Sequence, residues 1–244
     1  MDGLWGGYSQ VTILKNCLES VIRSGQFDRV VALSGMDYPA MPSKQIELIF
    51  QENPKKEYLR ARIVTNNDTL SNKVTRYWRF DYPYNNGLAC RISRGIHNRI
   101  LGNVLHSLRI RKKDSILVDG AIWNVYFGSD YWALTYNTAV ELYKYLNRKE
   151  IERYFRSSYA PSELVTTTIV CNIVNHNDID MIASEKCRYE QLCALHYEIY
   201  DPIIQTMTEK DFQAIIDSQK MFFRKTRTGE SDELCRMSKD YYRE

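Results

Sequence analysis

The chain has 244 residues, 28.7 kDa, 44% hydrophobic and 26% charged residues and a formal net charge of +3 at pH 7. That is an ordinary globular composition, long enough for one large domain or two small ones, and no run approaches the roughly 18 apolar residues of a membrane span. The charge is too small to name a partner. The start, Met-Asp-Gly-Leu-Trp, has neither the basic n-region nor the apolar h-region of a secretory signal, so a cytoplasmic protein is expected. Six cysteines (Cys17, Cys90, Cys171, Cys187, Cys193, Cys235) have irregular spacing and no CxxC pair, which predicts reduced, mostly buried thiols rather than a disulfide framework or zinc site.

"WGGYSQV" (5–11) reads as a tight loop entering a helix, with Trp5 as a packing anchor and Ser9 as the cap. Val11, Leu14, Leu18 and Val21 then follow helical spacing up to Ser24-Gly25. "RVVALS" (29–34) reads as a buried strand that stops at "GMDYP"; Pro42-Ser43 opens a helix through Phe50, and "EYLRARIV" (57–64) is a further strand. The alternation predicts an α/β fold. Residues 91–114 read as a basic amphipathic helix, with Ile92, Ile96, Ile100, Val104, Leu105 and Leu108 at helical spacing. It suits an anionic membrane surface, nucleic-acid phosphates, or packing on the domain with a solvated basic face. Helices are also expected at 137–146, at 161–172 and from Ser231 onward. Eighteen tyrosines cluster at 77–84, near Tyr126 and Tyr131, and at 196–202. They either stack on sugar rings or fill core edges with the hydroxyl in water.

Five stretches in order, "WGGYSQV", "LSGMDYP" (33–39), "FGSDYWALT" (127–135), "SSYAPSELVTTTIV" (157–170) and "FFRK" (222–225), resemble the core-2/I-branching enzyme family of β-1,6-N-acetylglucosaminyltransferases and protein xylosyltransferases, in its bacterial-type form. The resemblance spans nearly the whole chain. It implies a GT-A-like α/β glycosyltransferase domain, with 1–135 mainly the donor half and 136–244 the acceptor half and diphosphate-binding segment. In relatives a strand-helix-strand segment of roughly 30 residues or more precedes the Trp-Gly-Gly stretch. The resemblance therefore implies a fragment or a shortened homologue without that segment.

Inverting transfer needs one base to take a proton from the acceptor hydroxyl. Glu163, just after Pro161-Ser162 at a helix start, is the candidate, matching the glutamate of the family's Pro-Asp-Glu motif with Ser162 where Asp is usual. On its residues alone it could equally complement the helix dipole. Asp178 and Asp180 of "DID" mimic a metal-binding Asp-x-Asp, but they follow the candidate base in a polar loop and read as a turn. The family works without metal, so neither metal nor cofactor is expected. The resemblance implies Arg188 and Lys225 as the cations that stabilise the leaving diphosphate, with Arg224 and Arg227 close enough to confuse the assignment. Asp37 either accepts hydrogen bonds from donor-sugar hydroxyls or is a turn residue. Gly128 and Ser129 repeat that arrangement beside Tyr131 and Trp132. The expected reaction moves N-acetylglucosamine, or alternatively xylose, from a UDP-sugar to a glycan or lipid-linked glycan, with no nucleic-acid partner. A non-catalytic glycan-binding relative is the other reading.

Overall fold

The computed structural model describes residues 6–64, 71–78, 88–108, 110–182, 188–201 and 203–242. Trp5, the stretch 79–84, Arg109 and Cys187 lie outside the described residues, as do the side chains of Cys90 and Arg94. The fold is mixed α/β. Helix α1 (Ser9–Ser24) buries Val11 and Leu18 and ends at Gly25, whose φ of 137° lies outside the range other residues readily adopt. Ser9 is the first helical residue rather than the cap: that position is taken by Tyr8, whose buried ring anchors the entry. Strand β1 (Arg29–Val31) is shorter than its apolar run, because the Ser34 N–H and hydroxyl turn onto the Asp37 carboxylate, and β2 (Asp37–Pro39) follows where a loop was expected.

Next come α2 (Ser43–Glu52), β3 (Glu57–Ile63) and α3 (Ser71–Thr75). The basic segment forms α4 (Leu88–Ile96), a π turn at His97–Leu101 and α5 (Gly102–Ser107). It does not run on to 114, because the Lys112 N–H leaves the helix to bond the Thr75 carbonyl. Then follow β4 (Ser115–Val118), β5 (Ala121–Asn124), β6 (Tyr126–Gly128), β7 (Ala133–Thr135), α6 (Tyr136–Leu146), α7 (Lys149–Phe155) and α8 (Ser162–Ile173). The chain continues through β8 (Ile179–Met181), β9 (His196–Tyr197), α9 (Phe212–Asp217), β10 (Phe222–Arg224) and α10 (Asp232–Tyr241).

The chain forms two compact units that interleave along the sequence. The first comprises the segment up to Phe27, Ala61–Gly128 and Tyr136–Val174. Its centre is α8, where every residue from Leu164 to Cys171 is buried, as expected of a helix apolar on most sides. The threonines within it are satisfied: Thr167 Oγ1 donates to the Tyr126 carbonyl at 3.0 Å and Thr168 Oγ1 accepts from the Tyr126 N–H at 3.0 Å, which pins β6 to the helix. Val11 and Leu18 of α1, Leu142 and Leu146 of α6, and Ile151 and Phe155 of α7 complete this core.

The second unit comprises Asp28–Arg60, Ser129–Thr135 and the chain from Asn175. Here β7 lies between β1 and the start of β3, antiparallel to both. A second sheet has the order β2-β10-β9, with β2 antiparallel and β9 parallel to β10. Phe223, Met207, Ile215 and Leu234 form one core cluster; Phe222, Met41, Leu195 and Ala133 form another. The buried Glu57 carboxylate is satisfied by the Thr135 N–H and hydroxyl, both at 2.8 Å.

Candidate functional site

In the first unit the opening stretch meets "SSYAPSEL". The Ala160 N–H donates to the Gly6 carbonyl at 3.1 Å and the Ser162 hydroxyl to Gln10 Oε1 at 3.3 Å. Ala160 has φ 45°, a left-handed conformation uncommon outside glycine, at the turn that launches α8. Glu163 stands in the first turn of that helix, where the helix dipole favours a carboxylate. Its Oε2 lies 3.0 Å from Lys73 Nζ, and Lys73 in turn sits 4.7 Å from the Phe127 ring centre and 5.4 Å from that of Tyr159. Backbone bonds from Tyr159 N–H to the Lys73 carbonyl and from Trp78 N–H to the Ser157 carbonyl hold the two segments side by side. The Glu163 side chain is 15% exposed and that of Lys73 28%, so both reach the surface from a rigid setting. Chemically this is an oriented, accessible carboxylate with a cation and aromatic faces beside it.

In the second unit "LSGMDYP", "FGSDYWALT" and "FFRK" converge. Asp37 and Arg224 are partners in the β2–β10 register, with Arg224 Nε 3.1 Å from Asp37 Oδ1. Arg224 also reaches Glu198 Oε2 at 3.7 Å and lies 4.0 Å over the Tyr131 ring, an arrangement suited to a planar guanidinium. His196 Nε2 stands 3.3 Å from Asp37 Oδ2, with its ring edge-on to Tyr131. The Cys193 thiol donates to Glu198 Oε1 at 2.7 Å and lies 3.9 Å from the Ser129 hydroxyl.

Burial and hydrogen bonding compete over the protonation of this cluster. Burial opposes ionisation of Asp37, but hydrogen bonds from His196 and from Ser34 outweigh it and lower that carboxyl's pKa. Glu198 is raised by burial, with the Cys193 hydrogen bond and the Arg224 charge opposing. Tyr131 is pushed up to about 12, chiefly by burial.

The Asp37 side chain is 1% exposed and both of its oxygens have partners within the protein. Gly128 ends β6 opposite Ala61, and Ser129 is buried beside Cys193. Arg188 is exposed, just before a short 3-10 turn at Tyr189–Leu192. Lys225 is half-buried, its N–H donating to the Gln205 carbonyl and its own carbonyl accepting from the Met207 N–H. Glu163 thus belongs to the first unit, and Asp37, Ser129, Arg188 and Lys225 to the second.

Asp180 of the "DID" tripeptide pairs with Lys56 at 3.2 Å and Arg60 at 3.6 Å. Among the described residues no group of three or more His, Cys, Asp or Glu side chains could hold a metal ion. Also among the described residues, no helix is long and apolar enough to cross a membrane. The chain matches no profile of a known protein family and no curated protein. Sequence reasoning missed Lys73, Cys193, His196 and Glu198. Their partners lie 5 to 159 positions away, from Cys193–Glu198 through Lys73–Glu163 to His196–Asp37, and no local spacing announces them.

Proposed function

We propose that the chain is a GT-A-like, inverting, metal-independent glycosyltransferase that moves N-acetylglucosamine, or alternatively xylose, from a UDP-sugar to a glycan hydroxyl in the cytoplasm. The observation that carries this reading is the contact among the five motifs: two meet at Ala160 and Ser162, beside Glu163, in the first unit and three meet at Arg224 in the second.

Glu163 is the base. Its carboxylate takes the acceptor proton as that oxygen attacks the anomeric carbon and UDP leaves from the opposite face. Lys73 fixes the orientation of Glu163. Lys225 supplies positive charge to the departing diphosphate, assisted by Arg188. Arg224 is occupied by Asp37 and Glu198, and exposed Arg227 pairs with Glu230, which favours Lys225 as the cation of "FFRK". Asp37 in this reading anchors β10, and through it the backbone of Lys225, rather than touching sugar.

Titration of the protein with UDP in EDTA is expected to show binding that weakens at least about tenfold in Lys225→Ala, since a charge-assisted contact is worth roughly 1.5–3 kcal/mol. Glu163→Gln is expected to keep UDP binding and to lose transfer from UDP-N-acetylglucosamine by at least about a hundredfold. Absence of UDP binding would overturn the reading and favour a glycan-binding protein. Undiminished transfer by Glu163→Gln would remove Glu163 from the base role.

A further inference from the structure

From Leu88 to Lys113 the sequence carries seven Arg and Lys residues and no Asp or Glu. Within the helical part, Leu88, Ile92, Ile96, Ile100, Val104 and Leu108 recur every fourth residue, and each is exposed, from 46% at Val104 to 72% at Leu88. A soluble helix normally buries such a stripe. Four residues slightly exceed one α-helical turn of about 3.6 residues, so the stripe would drift around a regular helix. The π turn at His97–Leu101 closes i→i+5 bonds and takes more residues per turn. It therefore counteracts the drift between Ile96 and Ile100.

The segment is held by its polar positions. Arg76 donates to the Asn98 carbonyl at 3.0 Å and to Asn103 Oδ1 at 2.6 Å, while its guanidinium lies over the Trp78 ring. At the far end, Lys112 turns inward to the Tyr154 carbonyl and the Ser158 hydroxyl. The segment is therefore tethered along one side and at its end, with the aliphatic stripe left outward. Arg91 and Arg99, both exposed, flank the stripe, and exposed Lys113 follows it.

We propose that residues 88–108 with Lys113 form a peripheral membrane-docking surface for anionic lipid, with the aliphatic stripe entering the acyl boundary and Arg91, Arg99 and Lys113 meeting phosphate headgroups. Charge selects this occupant. A second copy docking stripe to stripe would bring the exposed Arg91, Arg99 and Lys113 of both copies together, whereas an anionic bilayer supplies the opposite charge to them. The surface is independent of any transferase chemistry.

The test is co-sedimentation of the full chain with phosphatidylcholine vesicles and with vesicles of phosphatidylcholine and phosphatidylglycerol at 7:3, at about 50 and 300 mM salt. Binding to the anionic vesicles alone, weakened at high salt, is expected. Arg91→Gln with Arg99→Gln should lower partitioning about fivefold per residue. Ile96→Ser, Ile100→Ser and Val104→Ser together should lower it about a hundredfold. Because those three side chains are exposed, the variant should keep the parent's circular dichroism and melting temperature, and the arginine variant tests the same surface independently. Equal recovery with both vesicle types, or no binding to either, overturns the proposal. So does a concentration-dependent dimer that the triple substitution abolishes, because that result assigns the stripe to a second copy.

Discussion

Arg224 and Lys225 are neighbours with opposite settings: Arg224 is the last residue of β10 and buried, whereas Lys225 lies beyond the strand and is half-buried. Arg224 turns inward, where its side chain is 5% exposed between Asp37 and Glu198 and under Tyr131. Removing a guanidinium from such a place leaves two carboxylates without their cation, and a buried charge without its partner costs about 3–5 kcal/mol. Arg224→Met should therefore lower the unfolding free energy by that amount in urea titrations. Lys225→Ala, which vacates a half-buried side chain, should change it by less than about 1 kcal/mol. Equal losses would mean that Lys225 is as much part of the structure as its neighbour, and a stability effect would then confound any UDP-binding effect of its removal.

At the scale of elements, the β4–β5 hairpin is built by Asp119 and Gly120, with φ of 48° and 82°, closing the pairing of Val118 with Ala121. Both signs of φ are those of a type I′ turn, whose twist matches that of the strands and for which Asp-Gly is a strong sequence signal. Gly120→Val forces a β-branched side chain into this region and should destabilise the protein by about 1–3 kcal/mol in a denaturant titration; no loss would mean that the turn relaxes to another type. α2, β3 and α6, with local periodicity, and α8, apolar on most sides, were legible within two residues of their bounds. Where distant partners intervene, local pattern fails. Ser34 leaves the β1 ladder for Asp37, and the Lys112 N–H leaves the helical segment for Thr75, 37 positions back. The same division holds for the site. Glu163 and Lys225 were singled out by residue type and flanking motif, whereas the pairing of Lys73 with Glu163, and of Cys193, His196 and Glu198 around Arg224, arises through folding alone.

Across the whole molecule, two inward-turned lysines make stability rise with pH near neutrality, against the opposing contribution of buried Glu198, whose pKa is raised. Burial lowers the Lys112 pKa from 10.5 to about 7, and burial with repulsion from Arg60 lowers that of Lys220 to about 8. In the unfolded chain both lysines hold their protons to about pH 10.4. Between pH 7 and about 8.5 the unfolded state therefore binds more protons than the folded one, and stability rises with pH. Below about pH 7 Lys112 is protonated in both states and the full cost of burying its charge is felt. Above about 8.5 a second contribution opposes the lysines: burial raises Cys171 to about 12 and also raises Cys193, so these thiols ionise first in the unfolded chain and offset the rise that the lysines sustain to about pH 10. The lowered carboxyls of Asp37 and Glu152 finish titrating well below this window and leave its slope untouched. Urea titrations at pH 6.5, 7.5 and 8.5 should show a gain of about 1–2 kcal/mol from Lys112 between pH 7 and 8.5. Lys112→Met should flatten that rise even if its midpoint shifts through the loss of the bonds to Tyr154 and Ser158. A wild-type profile without the rise would mean that water reaches the ammonium in the folded state, and that the tether at the end of residues 88–113 is looser than its hydrogen bonds imply.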